Sequence, residues 1–323
     1  MSKQEHILIT GAAGFIGTGL AIALLELSSA VSLTLTDVLE PPIPSTVSDH
    51  ASRITTVKSD LTSPQAVESL LSTKFTTIYL LHGLMSGGAE ANLDLGWRIN
   101  WDSHRGILDH VRRHSPGTVI VFPSSLAVYG PSAPGEITSE RTCPLPQSSY
   151  GVQKLMVETY LSDFSRRGLL DGRVVRLPTV IVRPGAPSAA ASSFASGIVR
   201  EPLRGESATL PVARDLEMWV CSPRTVVDNL VYVREVPKEE FGLSRVVNLP
   251  GITVSVQQIL DALEAVGGSK TLSLVKDKRD PKVEAIVGSW PSRFDISRAE
   301  KLGLKGDGPL VDTVKAFADS LLQ

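Results

Sequence analysis

Apolar and polar positions follow two rhythms through the first half of the chain. Short runs that are almost wholly apolar or β-branched, at residues 6–10, 31–37, 54–57, 77–81 and 118–122, read as strands. Stretches of helical period lie between them. Phe15, Ile16, Leu20, Leu24 and Leu27 form one stripe, and further helices are predicted near 63–72, 91–114 and 148–167. Strand and helix in alternation predict an α/β parallel sheet covered by helices on both faces. Strands apolar on both faces are what such a sheet requires.

The texture changes after Arg176. Gly, Pro, Ser and Ala crowd residues 178–196, and Pro178, Pro184 and Pro187 argue against long helices there. Helical periodicity returns at 253–266 and again at 309–322. The boundary is expected near Pro178. Residues 1–178 make the first domain, with 223–250 returning to it, and residues 179–222 and 251–323 assemble a smaller lobe from separated segments.

Composition narrows the class of protein. The 323 residues are 42% hydrophobic and 20% charged, an ordinary globular balance. A net charge of −2 provides no basic excess to draw nucleic acid or an anionic membrane. The best apolar run, residues 19–27, is interrupted by Glu26 and falls short of the ~20 residues that span a bilayer. The first six residues lack the regions of a secretory signal. Cys143 and Cys221 have no metal-ligand spacing to each other or to His, so no metal site is expected. Two thiols in so long a chain fit a reducing compartment, and a cytoplasmic protein is expected.

Candidate chemistry begins at Gly11-Ala12-Ala13-Gly14-Phe15-Ile16-Gly17, between the first strand and the first helix. Glycine at these three places permits a tight turn, a close approach of backbone to a pyrophosphate, and close packing of helix on strand. The free amides of the helix N-terminus then face the phosphates. Asp37 ends the second strand 20 residues after Gly17, the spacing of a ribose-binding acid. No Arg follows it to accept a 2′-phosphate, so NAD is expected in preference to NADP. Asp60 and Leu61, after the third strand, either meet the adenine or form a helix cap. The fold expected is therefore a Rossmann doubly wound parallel sheet with a smaller, discontinuous α/β substrate lobe.

The second constellation is Tyr150-Gly-Val-Gln-Lys154 on a predicted helix, where a four-residue spacing puts both side chains on one face. A Lys ammonium beside the phenol is expected to lower the Tyr pKa. Such a Tyr can exchange the proton of an alcohol. Ser124 and Ser125 end the fifth strand, at the carboxyl edge where open α/β sheets bind ligands.

These features together resemble the extended short-chain dehydrogenase/reductase family, also called the NAD-dependent epimerase/dehydratase family. The residues that carry the resemblance are Gly11, Gly14 and Gly17, Asp37, Asp60-Leu61, Asn100, Ser124 to Gly130, and Tyr150 with Lys154. The resemblance implies that Tyr150 is the acid/base, that Lys154 tunes it and binds the nicotinamide ribose, and that Ser125 orients the reacting oxygen. It also implies that Asn100 supports a water relay, and that Phe15, Ile16, Ser124 and Pro178 line the cofactor site. Two departures stand out. Leu81-His82-Gly83-Leu84 replaces the common His-x-Ala-Ala, which leaves His82 either near the cofactor or in strand-end packing. An Asn that often seats nucleotide-sugars is absent after Arg176.

The later segments resemble the sugar-acid branch of that family, the D-erythronate dehydrogenases. The strings are 86–91, 176–179, 182–185, 189–203, 219–224 and 248–251. This implies oxidation of the 2-hydroxyl of a small carboxylate-bearing substrate. A planar Arg suits a carboxylate, so Arg183, Arg200 and Arg224 are candidates, and Ser86, Thr179, Ser192 and Ser193 suit its hydroxyls. Alternatives are a nucleotide-sugar epimerase or dehydratase, and a non-catalytic NAD-sensing protein. Family members are commonly homodimers, joined through helices that correspond here to 91–114 and 148–167. The apolar residues Ile107, Leu108, Val111, Leu155, Met156 and Leu161 either serve that interface or pack within one chain.

Overall fold

In the computed structural model, residues 4–133, 135–186 and 190–322 are described. Seven strands form one parallel sheet: β1 (Glu5–Thr10), β2 (Val31–Asp37), β3 (Ile54–Lys58), β4 (Thr77–Leu80), β5 (Val119–Ser125), β6 (Asp171–Leu177) and β10 (Val246–Asn248). Their order is β10-β6-β5-β4-β1-β2-β3. The order reverses between β1 and β4, and a crevice opens there at the carboxyl ends of the strands.

Helices α1 (Phe15–Leu27), α2 (Pro64–Leu70), α3 (Ser86–Ala91), α4 (Leu93–Trp97), α5 (Ser103–His114) and α6 (Ser149–Arg166) connect the strands. The helix expected over 91–114 differs in detail. It begins at Leu93, capped by Asn92, and a π-turn at Arg98–Asp102 joins α4 to α5. An extra short helix, α3, precedes it.

Ile107, Leu108, Val111 and Leu161 are fully buried within the chain, in the core beneath α2, α5 and α6. Leu155 and Met156 are half-buried.

Beyond β6 come β7 (Thr179–Val180), α7 (Ser193–Leu203), β8 (Ala208–Leu210), β9 (Glu217–Cys221) and α8 (Pro223–Glu235). Then follow β11 (Ile252–Ser255), α9 (Val256–Leu272), β12 (Val275–Asp277), α10 (Pro281–Val287), α11 (Ser297–Lys301) and α12 (Leu310–Ser320). Strands β11, β9 and β7 form a small second sheet, and β12 pairs with β8. The first three residues of the helix expected from 253 are therefore strand.

α8 packs on α1, and Tyr79 of β4 donates to the Leu230 carbonyl at 3.1 Å. The core of this face also takes in Ala299, Leu302 and Leu304. A separate core gathers Ile198, Val199, Leu260, Leu263 and Phe317 from α7, α9 and α12. Helix α7 occupies part of the small-residue run whose character the sequence left open; residues 187–189 of that run lie outside the described residues.

Candidate active site

The crevice is a cavity of about 630 Å³ lined by residues at the carboxyl edge of the large sheet and by residues of the second lobe. Its inner end is the glycine-rich turn. A Cβ on Gly11 would lie 2.6 Å from the His82 amide nitrogen, and one on Gly17 would lie 2.7 Å from the Ala12 Cα. Glycine is required at both by this close approach. No side chain caps the N-terminus of α1, so its first amides are left to a ligand. Gly14, Phe15 and Ile16 line the cavity beside them. Asp37 accepts from the amides of Ala13 at 3.1 Å and Val38 at 2.7 Å, which orients its carboxylate at the edge of the turn.

Asp60 and Leu61 also line the cavity. The Thr62 amide donates to Asp60 and is the main cause holding its pKa below the usual range. The helix cap is Ser63, which accepts from the Ala66 amide. Uncapped helix amides, a glycine cradle with no room for side chains, and an acid at its rim fit a dinucleotide.

The catalytic candidates converge on the same space. Ser125 ends β5 and caps the short 3₁₀ turn Leu126–Val128 by accepting from the Ala127 amide at 3.2 Å. Ser148 caps α6 through the Gly151 amide, and α6 carries Tyr150 and Lys154. A Cβ at Gly151 would stand 2.3 Å from the Ala127 carbonyl. Glycine here lets α6 lie directly on the turn that carries Ser125. Tyr150, Ser124 and Ser125 all face the cavity, and Ser124 Oγ is buried without a hydrogen-bond partner.

Lys154 Nζ donates to the Pro123 carbonyl at 2.9 Å and sits 5.7 Å from the centre of the Tyr150 ring. Burial lowers its pKa to about 8, against a pull upward from Glu158. Burial raises Tyr150 to about 12, opposed by the hydrogen bond from Ser125 and the charge of Arg183. This corrects the expectation that Lys154 acidifies the phenol. In the free protein desolvation dominates, and the opposing cation is Arg183.

Three other expectations change. Asn100 does not line the cavity. Its Oδ1 accepts from the Leu84 amide at 2.7 Å, and its Nδ2 donates to the Leu84 carbonyl at 2.9 Å and to Gln153 Oε1 at 2.8 Å. Both amide protons are held within the fold. Arg200 is 2% exposed and is not among the residues that line the cavity. It donates to the Arg183 carbonyl at 3.0 Å and to Glu201 Oε1 at 2.5 Å. Arg224 is on the surface beside Asp228, its side chain 91% exposed.

The second lobe presents Thr179, Arg183, Ser192 and Trp290, while Ser86 and Pro178 complete the wall. Ser193 is not among the cavity-lining residues. Arg183 Nε donates to Ser196 Oγ at 3.3 Å, and its Nη2 is buried with no hydrogen-bond partner. Val182, just before it, holds φ at +57°, alone among the described non-glycine residues in having positive φ. A β-branched residue takes that conformation only when its surroundings enforce it. Here Ser196 and Arg200 grip Arg183 from α7. Ser86 Oγ accepts from the Ala191 amide at 3.1 Å and so ties the two lobes at the rim.

His82 both lines the cavity and packs at the strand end. Arg98, Met85 and Trp290 line the cavity without having been singled out.

Over residues 7–236 the chain matches the NAD dependent epimerase/dehydratase family. It belongs to this family. NAD is its cofactor, and the glycine turn with Asp37 is where the residues fit it. A D-erythronate dehydrogenase of Cupriavidus necator is 42% identical over 97% of this chain and 98% of its own. One from Haemophilus influenzae is 38% identical over 97% and 98%. A solved structure described as a nucleoside-diphosphate-sugar epimerase from Agrobacterium tumefaciens superposes with a TM-score of 0.91. It is 34% identical and covers 99% of this chain and 95% of that one.

Proposed function

We propose that this protein is an NAD-dependent dehydrogenase that oxidises the 2-hydroxyl of a small sugar acid, D-erythronate or a near relative, to the 2-keto acid. Two relatives that align over almost the whole chain carry the name D-erythronate dehydrogenase. The observation that carries the reading is Arg183, which lines the cavity that holds Tyr150 and Ser125 and whose charge acts on the Tyr150 phenol. A planar guanidinium facing a cavity binds a carboxylate with charge-assisted hydrogen bonds.

In this mechanism the substrate carboxylate lies on Arg183, with Ser86, Thr179 and Ser192 available to its hydroxyls. Ser125 holds the C2 oxygen and Tyr150 takes its proton. Lys154 donates hydrogen bonds on the far side of the phenol, toward the ribose. Bound in its oxidised form, NAD supplies a hydride acceptor and a positive charge near Tyr150, which counters the effect of burial on the phenol. Fixing donor, base and anchor in one cavity lowers the entropic part of the barrier.

The test is to follow reduced cofactor with free D-erythronate and other C4 to C6 aldonic acids. Net accumulation with an acid supports the reading. Turnover of a UDP-sugar without net reduction would favour the nucleotide-sugar epimerase, the reading suggested by the description of the Agrobacterium structure. NAD binding without turnover of any acid would favour a sensor.

A further inference from the structure

His82 follows β4 and lines the cofactor cavity. Its Nδ1 lies 2.7 Å from Thr10 Oγ1 and its Nε2 lies 2.8 Å from Ser103 Oγ. Ser103 Oγ donates to the Ile99 carbonyl at 2.5 Å, and the Leu81 amide donates to Thr10 Oγ1 at 3.1 Å. Each hydroxyl has one proton to give. Ser103 gives its proton to Ile99, so it accepts from His82 Nε2. The titratable groups facing the ring are His104, stacked on it at 4.0 Å, and Lys154. Burial, with Lys154 adding to it, keeps the imidazole uncharged. A neutral ring with its proton on Nε2 accepts at Nδ1, from Thr10. The competing donation from Thr10 to the Tyr79 carbonyl is longer, 3.1 Å, and would need a cationic ring. Donation thus runs one way, from Leu81 through Thr10, His82 and Ser103 to Ile99.

The two ends of this chain are parts of the cavity. Thr10 immediately precedes Gly11, against which the His82 backbone already packs. Ser103 closes the π-turn whose Arg98 and Ile99 line the cavity.

We propose that His82 is a positioning residue for NAD: a neutral imidazole, locked as its Nε2–H tautomer, that braces the glycine-rich turn against the π-turn through Thr10 and Ser103. The identity of the organic substrate plays no part in this. A glutamine at position 82 can accept from Thr10 and donate to Ser103, whereas a leucine can do neither.

The experiment titrates NAD calorimetrically into the full-length wild type and the His82→Gln, His82→Leu and Ser103→Ala variants, and records the ¹⁵N spectrum of the wild-type imidazole. His82→Leu and Ser103→Ala are expected to weaken NAD binding by about tenfold, with His82→Gln within about threefold of wild type. The ring proton is expected on Nε2 throughout about pH 5 to 8, where a free histidine titrates. The proposal is overturned if His82→Leu binds like wild type, if His82→Gln falls as far as His82→Leu, or if the proton resides on Nδ1 or titrates in that range. Should His82→Leu fail to fold, Ser103→Ala and the spectrum decide: wild-type affinity in the one, or the wrong tautomer in the other, overturns it.

Discussion

At the phenol of Tyr150 burial pushes the pKa up, while Ser125 and Arg183 pull it down. On the proposed mechanism, the phenol becomes a proton acceptor once ligand and cofactor are in place. Tyr150→Phe is expected to lower kcat by about 10²- to 10⁴-fold, the usual worth of a positioned acid/base, with NAD affinity retained in a binding titration. Arg183→Met removes a charged hydrogen-bond donor worth about 1.5–3 kcal/mol. Its KM for the acid should rise by about ten- to a hundredfold, with no change in NAD affinity.

Lys154 sets a pH limit. Its usual value of 10.5 falls to about 8 in the folded protein, so it loses its proton there first. If the ammonium is the form that binds the ribose, kcat/KM for NAD falls as pH rises through about 8. The unfolded chain holds this proton up to its higher value, so the stability of the free protein should rise between the two. Urea midpoints measured across that window should rise in the wild type and stay flatter in Lys154→Met. Gly11, Gly17, Asp37, Ser125, Tyr150 and Lys154 were legible in the sequence because their spacing along single elements encodes their geometry. Arg200 and Asn100 were misread because their partners, Arg183 and Leu84, lie elsewhere in the chain. No local spacing reveals which way such side chains turn.

Among the elements, α6 carries the most responsibility. It brings Tyr150 and Lys154 to the cavity, Gln153 to Asn100, and Glu158 to a buried pair with Arg176 of β6. Both partners of that pair are at most 5% exposed, and the Arg176 guanidinium also lies over the Tyr129 ring at 4.6 Å. Glu158→Ala leaves Arg176 buried without its counter-charge, and about 3–5 kcal/mol of stability should be lost. Chemical denaturation with NAD absent measures it directly. Helix α6 was legible from its periodicity. Helix α7 was missed: its start is rich in Ser, Ala and Gly, and Pro202 sits within its last turn. Burial of Ile198 and Val199 in the second core stabilises it.

At the scale of the molecule, the large sheet with its helices and the second lobe meet at one cavity, and each contributes one kind of chemistry. The first supplies the dinucleotide cradle and the proton acceptor, and the second supplies Arg183. The parallel sheet was legible because its strands are apolar on both faces. The second lobe was legible only as a change of texture, since β7, β9 and β11 are short and pair across long separations. The Asp37 carboxylate at the edge of the glycine turn would repel a 2′-phosphate. NAD should therefore bind tighter than NADP by about 1.5–3 kcal/mol, and Asp37→Ser should narrow that difference in paired titrations.

The most direct measurement compares wild type with Tyr150→Phe and Arg183→Met, following reduced cofactor from NAD and D-erythronate. The account predicts net reduction by the wild type, almost none by Tyr150→Phe, and turnover by Arg183→Met that recovers only at high acid concentration. Undiminished reduction by Tyr150→Phe, or no reduction by the wild type with any C4 to C6 aldonic acid, would contradict it.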